Sequence, residues 1–242
     1  MRVTVVGCSP AWPNPGGAHS GYLVEAPGAG RLLLDCGPGV LARLRAAGGW
    51  PAIDAIALTH FHLDHWGDLV PWVWGSLYGG GAGIEPPELI VPPGGAERLR
   101  SLGRELDGAG DLFERAFRVR EYDDDTAFAV AGFELRAVAV PHYGKPAYGI
   151  RVSGAGRVLA YSGDSGPSER LVELARDADL FLCEATLAAG EDGPRGHLSL
   201  DEARAAFAAS GAGRLLITHR PVELPGDESV EFAFDGLTID LV

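Results

Sequence analysis

Short apolar runs alternate along the chain with longer stretches of helical periodicity. Runs rich in β-branched and other apolar residues occupy 2–6, 31–34, 53–58, 133–140, 157–161, 179–183 and 214–218, each closed by Gly, Pro, Asp or His. Runs of this length bounded by turn residues read as strands. Apolar positions recur at helical spacing over 39–47, 66–78, 95–106, 167–176 and 199–209. In the last, Ser199 precedes Glu202 as a capping box and Gly211 lies just past the end. This alternation predicts an α/β (α+β) layered domain spanning 1–242. The stretch 79–87, GGGAGIEPP, reads as a flexible loop too short to separate two domains.

The strand ends carry the chemistry. His60 follows IDAIALT, His142 follows LRAVAVP, Asp164 follows RVLAYSG and His219 follows GRLLIT. Four strands that finish at one sheet edge would bring these groups into a single cleft, where ligands sit in α/β sheets. The segment THFHLDH, residues 59–65, concentrates His60, His62 and His65 with Asp64 in a chain of only seven histidines. Four polar groups ending an apolar strand would be desolvated without partners unless they bind something, and a cation is the natural occupant.

In an extended segment His60 and His62 face the same side and reach one ion, while Asp64 and His65, at the turn into a helix, reach a second. Asp164 has two oxygens and is able to bridge; His142 completes the first site and His219 the second. Imidazole and carboxylate without thiolate suit two zinc ions, with manganese or iron as alternatives. Zinc lowers the pKa of a bound water to near 7 and so supplies a hydroxide nucleophile. Glu184, ending the run LFLCE, and His197, just before a helix, form a further pair in which the carboxylate fixes the imidazole and keeps it ready to donate a proton. His19 stands alone and reads as a hydrogen-bonded residue with at most an indirect role at the site.

Composition narrows the partners. The net charge is −13, and nineteen of the twenty basic residues are Arg spread singly along the chain, so no basic stripe exists to follow a nucleic-acid backbone. Cys8, Cys36 and Cys183 are few, distant and without a Cys-x-x-Cys, which indicates buried thiols rather than a disulfide framework. No apolar run reaches the roughly 20 residues that cross a bilayer, and the apolar start is too short for a secretory segment, so a cytoplasmic protein is expected.

These residues resemble the metallo-β-lactamase superfamily, and within it the ribonuclease Z-like branch of metal-dependent phosphodiesterases. The resemblance runs through VVGCSPAWP, HSGYLVE, LLLDCGPG, THFHLDH, PHYGKPAYGIRV, YSGDSG, CEATL, GHLSLDEA and LLITH. It implies a four-layered αββα sandwich. It also implies that Asp64 assists the attacking water and that Glu184 orients His197, which protonates the leaving oxygen or steadies the phosphoryl group. Enzymes of this branch that process tRNA 3′ ends carry a long arm between the equivalents of His142 and Asp164, where this chain has 21 residues, enough for two strands and a turn. The resemblance therefore points to a small anionic phosphodiester, foremost a 3′,5′-cyclic nucleotide, over tRNA or an ester or thioester. Tyr143, Lys145, Tyr148 and Arg220, beside the ligand positions, are the expected substrate contacts. Trp72, Trp74 and Tyr78 cannot share one helical face, so a homodimer contact or a pocket wall is expected from them.

Overall fold

A computed structural model describes residues 1–46, 48–193 and 195–242. In chain order the elements are β1 (Arg2–Gly7), β2 (Gly21–Glu25), β3 (Arg31–Leu34), α1 (Val40–Ala46), β4 (Ala55–Ala57), α2 (Leu63–Trp66), α3 (Leu69–Tyr78), β5 (Glu88–Val91), α4 (Gly95–Asp107) and β6 (Arg118–Glu121). There follow β7 (Ala127–Val130), β8 (Phe133–Ala139), β9 (Tyr148–Gly154), β10 (Arg157–Tyr161), α5 (Glu169–Ala175), β11 (Leu180–Glu184), α6 (Leu200–Ser210), β12 (Leu215–Thr218), β13 (Glu231–Phe232) and β14 (Thr238–Asp240). They build two mixed seven-stranded sheets, β14-β1-β2-β3-β4-β5-β6 and β13-β12-β11-β10-β9-β8-β7.

The central strands β4, β11 and β12 are buried along their whole length because both faces of each sheet are covered. Leu32 and Leu34 point into the core between the sheets, while Leu33 points outward to the layer of α1, α3 and α4. In the second sheet Leu180 and Leu182 face the shared core, and Phe181 and Cys183 face α5 and α6. Alternate residues thus serve alternate layers, which yields the αββα sandwich.

All seven expected strands form. Among the others, β5 is four residues between two Pro pairs, and β6, RVRE, is a charged edge strand. The single helix expected over 66–78 is instead α2 and α3, broken at Gly67–Asp68, where the Asp68 carboxylate accepts from Leu41 N at 2.7 Å. Residue 47, the expected end of α1, lies outside the described residues. The capping box of Ser199 with Glu202 is present, and Gly211 caps α6 in the left-handed conformation. The loop 79–87 is tied down, with Gly81 N donating to Gly75 O at 3.0 Å and the Trp50 ring against both glycines.

One glycine seats the histidine segment. A Cβ on Gly37 would lie 2.0 Å from the backbone oxygen of Asp64 and 2.7 Å from the Cβ of His19. Gly37→Ala is therefore expected to destabilise the fold by about 1–3 kcal/mol through overpacking, read as a lower midpoint of urea unfolding.

Candidate metal centre

Four strand ends converge as the sequence predicts. His60 follows β4 of the first sheet, whereas His142, Asp164 and His219 follow β8, β10 and β12 of the second. The sheets are pinned together at this edge by a bridge between His60 and Ala147 and by Tyr148 N donating to Thr59 O at 3.2 Å. His62, Asp64 and His65 enter from the turn into α2.

The ligand atoms fall into two groups that share Asp164. His60, His62, His142 and Asp164 form one; Asp64, His65, His219 and Asp164 form the other; each set of atoms lies within 4.8 Å of itself. Asp164 Oδ2 is 3.6 Å from His60 Nε2 and 3.8 Å from His142 Nε2, and its Oδ1 is 3.2 Å from His65 Nε2 and 3.6 Å from His219 Nε2. Asp64 Oδ2 lies 3.4 Å from His65 Nε2 and 3.0 Å from His219 Nε2. Ligand atoms held tetrahedrally about 2.1 Å from one ion are separated by roughly 3.4 Å, so these spacings fit two ions.

Hydrogen bonding aims the lone pairs at the cluster. His65 Nδ1 donates to Asp35 Oδ2 at 2.7 Å, His142 Nδ1 to Gly196 O at 2.6 Å, His60 Nδ1 to Thr59 Oγ1 at 3.1 Å and His219 Nδ1 to Thr186 Oγ1 at 2.9 Å. Their Nε2 atoms are left facing inward, and His60 Nε2, His65 Nε2 and Asp164 Oδ1 are buried with no hydrogen-bond partner among the described residues. Orphaned buried acceptors cost several kcal/mol unless a cation satisfies them, so the donor set fits divalent metal.

Burial holds His60, His62 and His142 below their ordinary values, hence neutral and able to ligate. Burial alone would raise Asp64 and Asp164, but His219 and His65 bring both carboxyls below the usual range. His65 is raised, burial notwithstanding, by Asp164 and Asp35: the field there favours positive charge.

Asp35 is the residue the sequence reading passed over. It sits at φ +60° just after β3, fully buried, and also accepts from Thr59 N at 2.8 Å and Tyr161 OH at 2.8 Å. Its signal was visible as a carboxylate closing the apolar run LLL. Asp35→Asn is expected to weaken divalent-metal binding by about 10–100-fold, measured by competition with a chelating dye, since it removes the charge that orients His65.

Beside the cluster His197 Nδ1 donates to Glu184 Oε1 at 2.8 Å, and Glu184 is fixed by Ser165 N at 3.0 Å and by Thr186 N and Oγ1 at 3.0 and 2.8 Å. Burial disfavours the imidazolium of His197, but the bond and charge of Glu184 outweigh it and raise the pKa to about 9. His19 packs near Asp64 with Nδ1 on Pro10 O at 2.9 Å, outside both groups.

The expected substrate contacts divide. Tyr143, 49% exposed, places its ring 5.2 Å from His142 and 5.5 Å from His197, and Lys145 lines one cavity with His60 and His62 and another with His142. Tyr148 is instead buried in the core between the sheets, edge-on to Tyr122 at 5.1 Å, because β9 turns its side chain inward. Arg220 is committed to backbone carbonyls, donating to Ala185 O at 2.9 Å and Pro225 O at 3.0 Å. Trp72 is core and borders a groove of about 440 Å³ with Trp50, Asp54 and Pro87, at the strand ends opposite the histidines; Trp74 and Tyr78 stack at 6.1 Å, with Tyr78 67% exposed.

Relatives match this chain across most of their length. The probable metallo-hydrolase YhfI of Bacillus subtilis is 29% identical over 91% of this chain and 87% of its own. Ribonuclease Z of Mycobacterium marinum is 31% identical over 94% and 89% respectively. The crystal structure of YhfI superposes with a TM-score of 0.83 at 25% identity over 99% of both chains. The short form of human tRNase Z superposes at 0.74 with 25% identity and 99% coverage of both. With two His/Asp groups sharing one carboxylate at the edge of an αββα sandwich, and with residues 30–220 matching the model of the beta-lactamase superfamily domain, the chain belongs to that family of metal-dependent hydrolases.

Proposed function

We propose that the protein is a dinuclear-zinc hydrolase of small phosphodiesters, with a 3′,5′-cyclic nucleotide as the leading substrate. The observation that carries the reading is Asp164, whose two oxygens face two separate histidine groups. His60, His62 and His142 would hold one cation, Asp64, His65 and His219 the other, and Asp164 both. When bound, the cations supply Lewis-acid polarisation of the phosphoryl oxygens and bring the pKa of a water toward neutrality.

The chain's own groups complete the reaction. Asp64, at the floor of the cleft, accepts a hydrogen bond from the attacking water and orients it toward phosphorus. As the water oxygen bonds to phosphorus it releases a proton to solvent, the ester P–O bond breaks, and His197 gives the proton on Nε2 to the departing oxygen. Glu184 holds the other ring nitrogen, so the imidazolium is poised in one orientation. The product is a phosphomonoester.

Relatives named ribonuclease Z support phosphodiester chemistry, but β9 and β10 join here through a turn at Ala155–Gly156 with no arm between them, which favours a small substrate over tRNA. Turnover of bis-p-nitrophenyl phosphate and 3′,5′-cyclic nucleotides, abolished by a chelator and restored by zinc, is the expected result. Turnover of carboxyl esters or thioesters alone would overturn it, and elemental analysis separates zinc from manganese or iron. Three buried thiols without a disulfide support a cytoplasmic location. The stack of half-buried Trp74 on exposed Tyr78 supports a homodimer, which sedimentation at micromolar concentration reads directly.

A further inference from the structure

Two cavities flank the histidine cluster, and one side chain borders both. The first, about 330 Å³, is lined by His60, His62, Phe61, Pro92, Arg98 and Lys145. The second, about 540 Å³, is lined by His142, Gly166, Arg195 and again Lys145. Lys145 is the one lysine in a chain of nineteen arginines. Its backbone N donates to His142 O at 2.8 Å, and Ala147, two residues on, bridges to His60. The ammonium stem is therefore mounted between two of the proposed ligands.

The first cavity has an unusual charge and shape for this protein. On α4, Arg100 and Arg104 pair with Glu114 and Glu97, whereas Arg98 and Lys145 pair with no carboxylate among the described residues, in a molecule of net charge −13. The Arg98 guanidinium lies 5.0 Å over the Phe61 ring, and Nη2 donates to Phe61 O at 3.3 Å. A planar cation fixed on an aromatic ring offers a flat stacking surface. Gly95 locks that ring: a Cβ there would lie 2.8 Å from Phe61 Cε2. Prolines 92, 93 and 146 supply further flat apolar wall, and no carboxylate lines the cavity.

Direction follows from His197. The His197 ring lies 5.0 Å from that of His142, which lines the second cavity together with Arg195, so the proton donor stands on that side. The leaving oxygen departs there, and the first cavity remains for the group that stays on the phosphate.

We propose that the first cavity seats a flat aromatic substituent of the substrate, a nucleobase or aryl group on the retained side, with Arg98 and Phe61 selecting it and Lys145 holding the phosphate between the cavities. This rests on the phosphodiesterase reading. In a cyclic substrate the base of the same sugar fills the role. Arg98 and Phe61 are then specificity residues, and Lys145 a phosphate contact.

Calorimetry on zinc-loaded protein with adenosine 5′-monophosphate and inorganic phosphate tests the binding directly. The nucleotide should bind about tenfold more tightly than phosphate, and Arg98→Gln and Phe61→Leu should each reduce that advantage to about threefold or less. Lys145→Ala should weaken both probes. Kinetics with thymidine 5′-(p-nitrophenyl phosphate) and methyl p-nitrophenyl phosphate, which share a leaving group, should show the same loss of preference in kcat/KM. Equal affinity for nucleotide and phosphate, or an advantage that survives both substitutions, overturns the proposal. If neither diester is turned over but nucleotide binding still depends on Arg98 and Phe61, the pocket stands and the hydrolytic reading falls.

Discussion

Replacing Asp164 by Ala is expected to lower phosphodiester turnover by on the order of a thousandfold and to reduce bound metal from about two ions to one or none, by elemental analysis of the same preparation. The magnitude follows from position. Asp164 is 2% exposed, and among the described residues it is the one side chain that belongs to both histidine groups, with Oδ2 toward His60 and His142 and Oδ1 toward His65 and His219. Among the described residues, each other ligand of these two groups belongs to one of the two alone. Losing His62, for example, would leave the Asp64 group complete, whereas losing Asp164 removes a ligand from each and the negative charge that offsets two nearby cations. Asp164→Asn keeps the volume and isolates the charge; it should fall in the same direction. Full metal content and full activity in both variants would sink the dinuclear assignment.

The sequence made this cluster legible because the chemistry stands at strand ends. A buried strand must be apolar on both faces, so a His or Asp at its close marks where the chain leaves the core, and four such marks at a common edge identify a cleft. Asp164 and His219 were therefore readable from YSGD and LLITH, without contacts between them in sequence. Asp35 closes its strand in the same way, yet a carboxylate beside Cys36 and Gly37 has no motif of its own. Its role emerges only when the fold brings His65, 30 residues later, within 2.7 Å.

Substrate contacts were less legible for a related reason. Tyr148 and Arg220 neighbour ligand residues in sequence, but the direction of a side chain depends on strand register and on backbone acceptors contributed from elsewhere. Register turns Tyr148 toward Tyr122, and the carbonyls of Ala185 and Pro225 capture Arg220. Conversely Phe61 and Arg98 are 37 residues apart and carry no pattern, and they meet only because α4 begins beside the histidine segment. The edge strand β6, RVRE, escaped detection because edge protection by charge erases the apolar signature that reveals central strands.

His197→Ala should lower kcat by about a hundred- to a thousandfold on esters with alkoxide leaving groups while leaving metal content at the wild-type level. The distinguishing feature is dependence on the leaving group. An alkoxide needs a proton to depart and p-nitrophenolate does not, so the loss on bis-p-nitrophenyl phosphate should be at least about tenfold smaller than on a cyclic nucleotide. Equal losses would mean that His197 steadies the phosphoryl group and donates no proton. Glu184→Gln gives an independent check through pH. Glu184 raises the His197 pKa, to about 9 before cations in the cluster act on it. Removing that carboxylate lowers the folded-state pKa, so the donor loses its proton at lower pH. The basic limb of the kcat profile for an alkoxide ester should therefore move toward acid in Glu184→Gln. With p-nitrophenyl esters the limb should hardly move, since their departure does not draw on the proton. A basic limb that stays put with both substrates would place the titration on another group and remove Glu184 and His197 from the proton-transfer step.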